Sequence, residues 1–336
     1  FADIGLPKLD ETESNTLLGG KIALGIDTRI QIARLGRPKL DRKANAADAT
    51  FSGFTPGTKP DLVAIPMQFQ PYLTVIPSEW LTLLGSINAS ALDLPGKPPR
   101  RYMGQVPWEA AAILHGDPML PTLRVGMIQP TIGIRHDDHT MLQRADAMDP
   151  RRPLIPAGYA EIGGEASWHP ISWFRAEAGA YLNGNLRESS AAKAADPVAA
   201  TKDGIAWNGR ITLLPQAMDL GVNTWIGASA FGSGELLLIN GFAGVGKNEW
   251  GSLMVEAASG RGANGYQTLA LTALASYPIK EWLVAEARGE YATSDASLVA
   301  GAQTSTTKQL VLGLQFFPIP YVELRPEYRL IRVADK

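Results

Sequence analysis

The chain has no cysteine among its 336 residues. That absence excludes disulfide staples, cysteine-ligated zinc, iron–sulfur clusters and covalently attached c-type haem from this polypeptide. An excess of one charge sign is also missing, since 31 basic residues stand against 33 acidic ones for a formal net charge of −2. No nucleic-acid partner is implied, because the basic surplus that phosphate backbones demand is lacking. No stretch approaches the roughly 18 consecutive apolar residues of a membrane-spanning helix. The opening segment "FADIGLPKLDETES" has no basic stretch followed by an apolar core. It reads as a mature end left by signal removal or as a cytosolic start.

What is present is alternation. In "KIALGIDTRIQIAR", Lys21 to Arg34, residues Ile22, Leu24, Ile26, Thr28, Ile30 and Ile32 fall on one face, while Asp27, Arg29 and Gln31 fall on the other. This is a long strand. In "YVELRPEYRLIR" the same period sets Val322, Leu324, Tyr328 and Leu330 against Glu323, Arg325, Glu327 and Arg329. Between them "DLVAIPMQFQPYLTV", "WLTLLGSINAS", "WFRAEAGAYLN", "WNGRITLL", "WLVAEARGEYA" and "KQLVLGLQFF" are of the length a tilted strand needs to cross a bilayer. Soluble strands are usually shorter, about five or six residues.

The connections are asymmetric. "VIPSEWL", "WHPISWF", "YPIKEWL" and "FFPIPYV" read as short turns built on Pro77, Pro170, Pro278 and Pro318, three of them with Trp80, Trp173 or Trp282 beside the turn. The opposite connections, such as "GRPKLDRKANAADATFSGFTPGTKP" and "ESSAAKAADPVAATKDG", are longer and polar. Tight turns at one end, long loops at the other and aromatics at a level are the plan of a bacterial outer-membrane barrel. The fold class expected is all-β: a transmembrane antiparallel β-barrel of about sixteen strands. About fifteen strands are visible, the weakest around Trp108, Leu237 and Met254. The competing architecture is a soluble all-β sandwich or barrel. No linker divides the chain, so residues 1–336 form a single domain.

"GFAGVGKN", Gly241 to Asn248, nearly matches the phosphate-cradling loop G-x-x-x-x-G-K-[ST], but Asn248 replaces the hydroxyl that binds magnesium. The following "WGSLMVEAA" reads as a strand and supplies no helix N-terminus for phosphate, so a Gly-rich hairpin tip is the better reading. "QPTIGIRHDDHT", Gln129 to Thr140, gathers His136 and His139 around Asp137 and Asp138. Imidazole with carboxylate suits several divalent ions, yet Pro130, Thr131 and Gly133 disfavour the helix that would place both histidines on one face. A solvated polar loop is favoured over a metal site. No serine is set beside a base in a way that nominates a nucleophile, so no enzyme is expected, and no cofactor either.

"LRVGMIQPTIG", Leu123 to Gly133, resembles the strand and inward turn of the porin O and porin P family, and "GYAEIGGEASWHPISWFRAEAGAYL" is similar to the strand pair that follows there. The resemblance covers about a fifth of the chain. It implies a segment folding into the barrel over 135–156, with Arg135, His136, Asp137, Asp138 and His139 at a constriction. Residues 1–18 read as a periplasmic N-terminal segment of the same domain. The sequence departs from the phosphate-selective members, since the inward faces mix Arg175 with Glu177, Arg288 with Glu286 and Glu290, and Arg325 and Arg329 with Glu323 and Glu327. Phosphate selectivity is not inherited.

The expected role is an outer-membrane porin passing small hydrophilic solutes or ions, with selectivity set by lumen charge and the narrow segment. Its partners would be membrane lipid and lipopolysaccharide, those solutes, and further copies of the chain as a homo-oligomer. The alternative is a structural barrel that sheathes or anchors a protein plug such as a multihaem cytochrome, whose haem would belong to the partner. An odd strand count also predicts that the polypeptide continues past Lys336 by roughly ten to fifteen alternating residues, enough to cross a membrane once more. Intact-mass measurement with C-terminal peptide sequencing checks this, and a native chain ending at Lys336 would contradict it.

Overall fold

The computed structural model describes residues 16–34, 62–88, 108–117, 119–134, 141, 155, 159–186, 204–215, 222–262, 267–295, 305–319 and 322–335. A two-residue strand, β1 (Thr16–Leu17), turns into β2 (Ile22–Arg34). Then follow β3 (Leu62–Ser78), β4 (Leu81–Ile87), β5 (Trp108–Leu114), β6 (Thr122–Ile128), β7 (Glu161–Ile171), β8 (Phe174–Leu182) and β9 (Ile205–Leu213). The second half comprises β10 (Asn223–Ser233), β11 (Leu236–Lys247), β12 (Gly251–Arg261), β13 (Gln267–Lys280), β14 (Leu283–Asp295), β15 (Ser305–Ile319), β16 (Val322–Leu324) and β17 (Glu327–Asp335). From β1 through β15 each strand pairs antiparallel with its sequence neighbour, so the chain is a single meander. Across Arg325–Pro326 the alignment on β15 is unbroken: Phe316 faces Leu324, Gly313 faces Glu327, and the Leu314 N–H donates to the Pro326 carbonyl at 3.1 Å. β16 and β17 are therefore one strand interrupted by a proline. Among the described residues this strand pairs only with β15, and β2 only with β1 and β3, so the sheet is open between them.

The polarity of the sheet is inverted relative to a soluble protein. On β2, Leu24 is 46% exposed, Ile26 63%, Ile30 68% and Ile32 69%, while charged and polar side chains elsewhere, such as Glu177, Glu256, Glu290, Asn208 and Thr272, are buried. Leu310, Leu312 and Leu314 are likewise exposed on β15, where the alternate residues Thr307, Gln309 and Val311 are buried. An apolar face of this extent is stable only against lipid, because in water it would leave many large side chains hydrated. The soluble alternative does not fit this pattern.

The two ends differ as the sequence suggests, with corrections. The four prolines do not form the turns. Pro77, Pro170, Pro278 and Pro318 lie in the last residues of β3, β7, β13 and β15, where the ladder slips between Val75 and Ser78, Trp168 and Ile171, Pro278 and Lys280, and Phe316 and Ile319. Proline has no N–H to donate, and a bulge is where the ladder does not ask for one. Three two-residue turns, at 79–80, 172–173 and 281–282, end in Trp80, Trp173 and Trp282. Each of these carbonyls accepts a backbone N–H from the neighbouring hairpin: His115 to Trp80 and Leu214 to Trp173 at 2.8 Å, and Phe317 to Trp282 at 3.0 Å. Trp250, at the same end before β12, is a fourth exposed indole of this level. Residues 241–247 of "GFAGVGKN" lie within β11 and only Asn248 enters the turn, so the motif is strand rather than hairpin tip. At the other end the loops are not uniformly long, since β10 and β11 are joined tightly through 234–235.

Opposite tolerance is expected on the two faces of β2. Ile26→Arg should cost about 2 to 4 kcal/mol, and Asp27→Arg little. Folding into lipid vesicles followed by heat-dependent gel mobility measures both; equal tolerance would overturn the face assignment.

Candidate functional site

Period two places residues i and i+2 on one face, and the polar face uses this for ion pairs. On β14 Arg288 Nε lies 3.3 Å from Glu290 Oε2, both side chains almost fully buried, and on β17 Arg329 Nε donates to Glu327 Oε2 at 2.8 Å. Arg325 reaches Glu323 at 3.1 Å, Glu286 on β14 at 3.4 Å and Glu327 at 4.0 Å. Arg175 contacts the buried Glu177 on β8, and Glu177 stands directly opposite Arg210 on β9. Asp27 and Arg29 pair at 3.7 Å and stay half exposed. All eleven strand charges singled out from the sequence are thus on the polar face and engaged with a charge of opposite sign.

The structure adds a segment that runs over this face. After β6 the chain leaves the sheet at Gln129, and Thr131 meets Glu165 on β7, whose carboxylate accepts five hydrogen bonds. The Thr131 N–H (2.9 Å) and hydroxyl (2.7 Å), Arg124 Nη2 (2.8 Å), the Tyr181 hydroxyl (2.7 Å) and Asn208 Nδ2 (2.9 Å) donate them. Asn208 also donates to the Thr131 carbonyl at 2.8 Å. Two residues on, the Gly133 N–H donates to Ser229 Oγ on β10 at 2.7 Å, and the Ile134 N–H to Glu256 Oε2 on β12 at 3.2 Å. Along a flat sheet β7 and β12 would be about 24 Å apart. From Thr131 to Ile134 the chain spans at most about 10 Å. The sheet must therefore curl around the segment, with its polar face inward.

Gly133 is demanded twice over. Its φ is +53°, and a Cβ there would sit 2.1 Å from Glu256 Oε1 and 2.9 Å from Asn240 Nδ2. Only a residue without a side chain passes this point in that conformation.

Apolar contacts hold the segment from the other side. Ile132 and Ile155, each almost fully buried, belong to a cluster with Leu186, Tyr159, Phe231 and Leu236, the last two flanking the tight β10–β11 turn. The rings of Tyr159 and Phe231 meet edge to face at 6.0 Å. Burial, and then the adjacent Glu161, push the Tyr159 phenol far above the ordinary tyrosine range, so it stays protonated and donates to Glu161 at 3.3 Å. Glu161 also accepts the N–H of Asn185 at 2.8 Å, tying the loop after β8 to the same wall.

Arg135, His136, Asp137, Asp138 and His139 lie outside the described residues. Of the 135–156 stretch, Met141 and Ile155 are described, and both are buried. Sequence reading passed over the wall carboxylates Glu161, Glu165 and Glu256. A signal existed in "EIGGEASW", where two acids four residues apart share one strand face, but nothing local says that they cap a distant backbone.

Gly133→Val should leave the barrel folded and loosen the segment. Strain in the left-handed region costs roughly 1 to 3 kcal/mol before any clash is counted. Limited trypsinolysis of protein in lipid should show cleavage after Arg135 accelerated about tenfold or more over wild type. Equal resistance would show that Gly133 does not hold the segment.

No protein-family model matches the chain, and no curated protein matches it in sequence. Solved structures do match in shape. The outer membrane channel DcaP of Acinetobacter baumannii superposes with a TM-score of 0.56 at 9% identity, over 96% of this chain and 100% of that one. OmpF of Salmonella typhi, solved in complex with daunomycin, gives 0.53 at 11% identity over 92% and 89%. The anion-selective porin from Comamonas acidovorans gives 0.51 at 12% identity over 93% and 89%. At such identities the likeness establishes the fold, and the fold is that of the outer-membrane porin barrels.

Proposed function

We propose that this chain is a porin-type channel of the bacterial outer membrane, passing small hydrophilic solutes and ions by diffusion. The observation that carries the reading is the backbone segment Gln129–Ile134, which crosses the polar face and is hydrogen-bonded to β7, β9, β10 and β12 while the opposite face is exposed and apolar. A segment held in this way narrows the space that the curled sheet encloses, and lumen charge then acts on permeating ions at short range. The resemblance of Leu123–Gly133 to porins O and P accords with this inward course. The paired charges supply no basic track, so a phosphate preference is not part of the reading. Arg135, His136, Asp137, Asp138 and His139 follow Ile134 directly, and we assign them to the constriction.

In a planar bilayer the purified protein should give stepwise ohmic conductance. A silent barrel that copurifies with a haem protein would favour the sheath instead. The combined His136→Ala, Asp137→Ala and Asp138→Ala variant should change the cation-to-anion permeability ratio more than Asp203→Ala does, since charge at a narrow point is little screened. An unchanged ratio in the triple variant would remove these residues from the channel.

A further inference from the structure

The apolar face carries one feature that a lipid surface alone does not explain. On β15 and β17, Lys308 stands directly opposite Arg332, with Leu310 opposite Leu330 in the next outward pair. Both cations are exposed on the face that otherwise presents Leu310, Leu312, Leu330 and Tyr328. A shallow groove of about 330 Å³ runs between the two strands, lined by Lys308, Gln309, Leu310, Leu330, Ile331 and Arg332. On the other side, Tyr291 of β14 is opposite Lys308, whose Nζ lies 5.9 Å from the ring centroid. Neither cation has an acidic partner among the described residues, in contrast to the ion-paired cations of the polar face.

Height on the barrel says what meets them. From Trp282, at the short-turn level, to Tyr291 is roughly nine residues, which at strand rise and a tilt of 35–45° amounts to about 23 Å along the membrane normal. That is close to the thickness of the apolar band, so the Tyr291–Lys308–Arg332 row lies at the interface on the long-loop side. Two adjacent unneutralised cations there, directly above a leucine-lined groove, complement a molecule with anionic phosphate at headgroup level and acyl chains below. Resting on the membrane placement proposed above, we infer that Lys308 and Arg332 form a docking site for a phosphate-bearing lipid of the leaflet at the long-loop end. The guanidinium and ammonium bind the phosphate, and Leu310 and Leu330 receive the first acyl chain. Tyr291 backs the lysine and keeps it at the interface.

The test uses the full chain folded in detergent and then offered diphosphorylated lipid A, with the retained complex counted by native mass spectrometry. Wild type should retain one lipid, and the combined Lys308→Gln and Arg332→Gln variant should bind it roughly thirty-fold more weakly, as expected for two interfacial cations. Arg261→Gln, which removes another exposed cation near the long-loop end, should change binding less than about twofold. The charge-preserving Lys308→Arg with Arg332→Lys variant should bind within a few-fold of wild type and guards against a folding defect. Equal retention by wild type and the double glutamine variant overturns the inference, as does retention that inorganic phosphate abolishes as readily as lipid does. Insertion and conductance are measured on the same preparations. Loss of lipid binding with conductance intact supports the site, equal retention in a conducting barrel defeats the site alone, and failure of wild type to insert defeats the membrane placement itself.

Discussion

Every backbone N–H and C=O inside hydrocarbon must find a partner within the protein, and this constraint shapes the rest of the molecule. An unpaired peptide group there costs several kcal/mol, so a chain with no span-length apolar helix can cross only as paired strands. The paired ladders from β2 through β15 meet the requirement, and the positions where they slip are instructive. One slip lies within β2 and β3, between Arg29 and Ile30. The other slips, at Pro77, Pro170, Pro278 and Pro318, fall within three residues of the short-turn end. At that level water and the indoles of Trp80, Trp173 and Trp282 replace hydrocarbon, and an imperfect ladder is tolerated.

Once strands are compelled, the period of two distributes everything else. Leucine and isoleucine take the lipid face, and charge takes the other. An arginine and a glutamate two residues apart, as in Arg288 and Glu290, then share the polar face and neutralise each other at small entropic cost, because the strand fixes their spacing. Where a wall carboxylate has no such neighbour it serves a different purpose. Glu161, Glu165 and Glu256 accept backbone N–H groups of chain that has left the sheet. Such chain brings unsatisfied donors with it, and a carboxylate is the strongest acceptor a strand can offer. The segment Gln129–Ile134 is therefore held by the same rule that made the strands, applied to backbone that has no ladder.

The apolar cluster around Phe231 and Ile132 complements this. On a face devoted to polar groups it supplies the contact that hydrogen bonds cannot, and the tight β10–β11 hairpin sets Phe231 opposite Leu238, with Leu236 in the same cluster, to receive the segment. Polar anchors thus fix the direction of the segment while apolar contacts fix its depth.

The sequence by itself determined the class of fold, the strands and the two faces, because these follow from a local period that each stretch such as Ile22–Arg34 carries within itself. Even the strands around Trp108, Leu237 and Met254, the weakest in pattern, are present as β5, β11 and β12. The ion pairs two residues apart were legible for the same reason. Local pattern misled where proline was read as turn, since a sequence shows that a proline breaks a ladder but not on which side of the bulge the chain reverses. Trp250 went unread because no proline marks its turn. Only the tertiary structure decided that Glu165 faces Thr131, that Glu256 lies against Gly133, and that Lys308 and Arg332 stand side by side. Such contacts join distant parts of the chain, the Ile134–Glu256 hydrogen bond spanning 122 positions. The pairing of Lys308 with Arg332 follows from the register of β15 and β17, while Glu256 reaches Gly133 because the sheet curls, and curling is a property of the whole set of strands that no single stretch encodes.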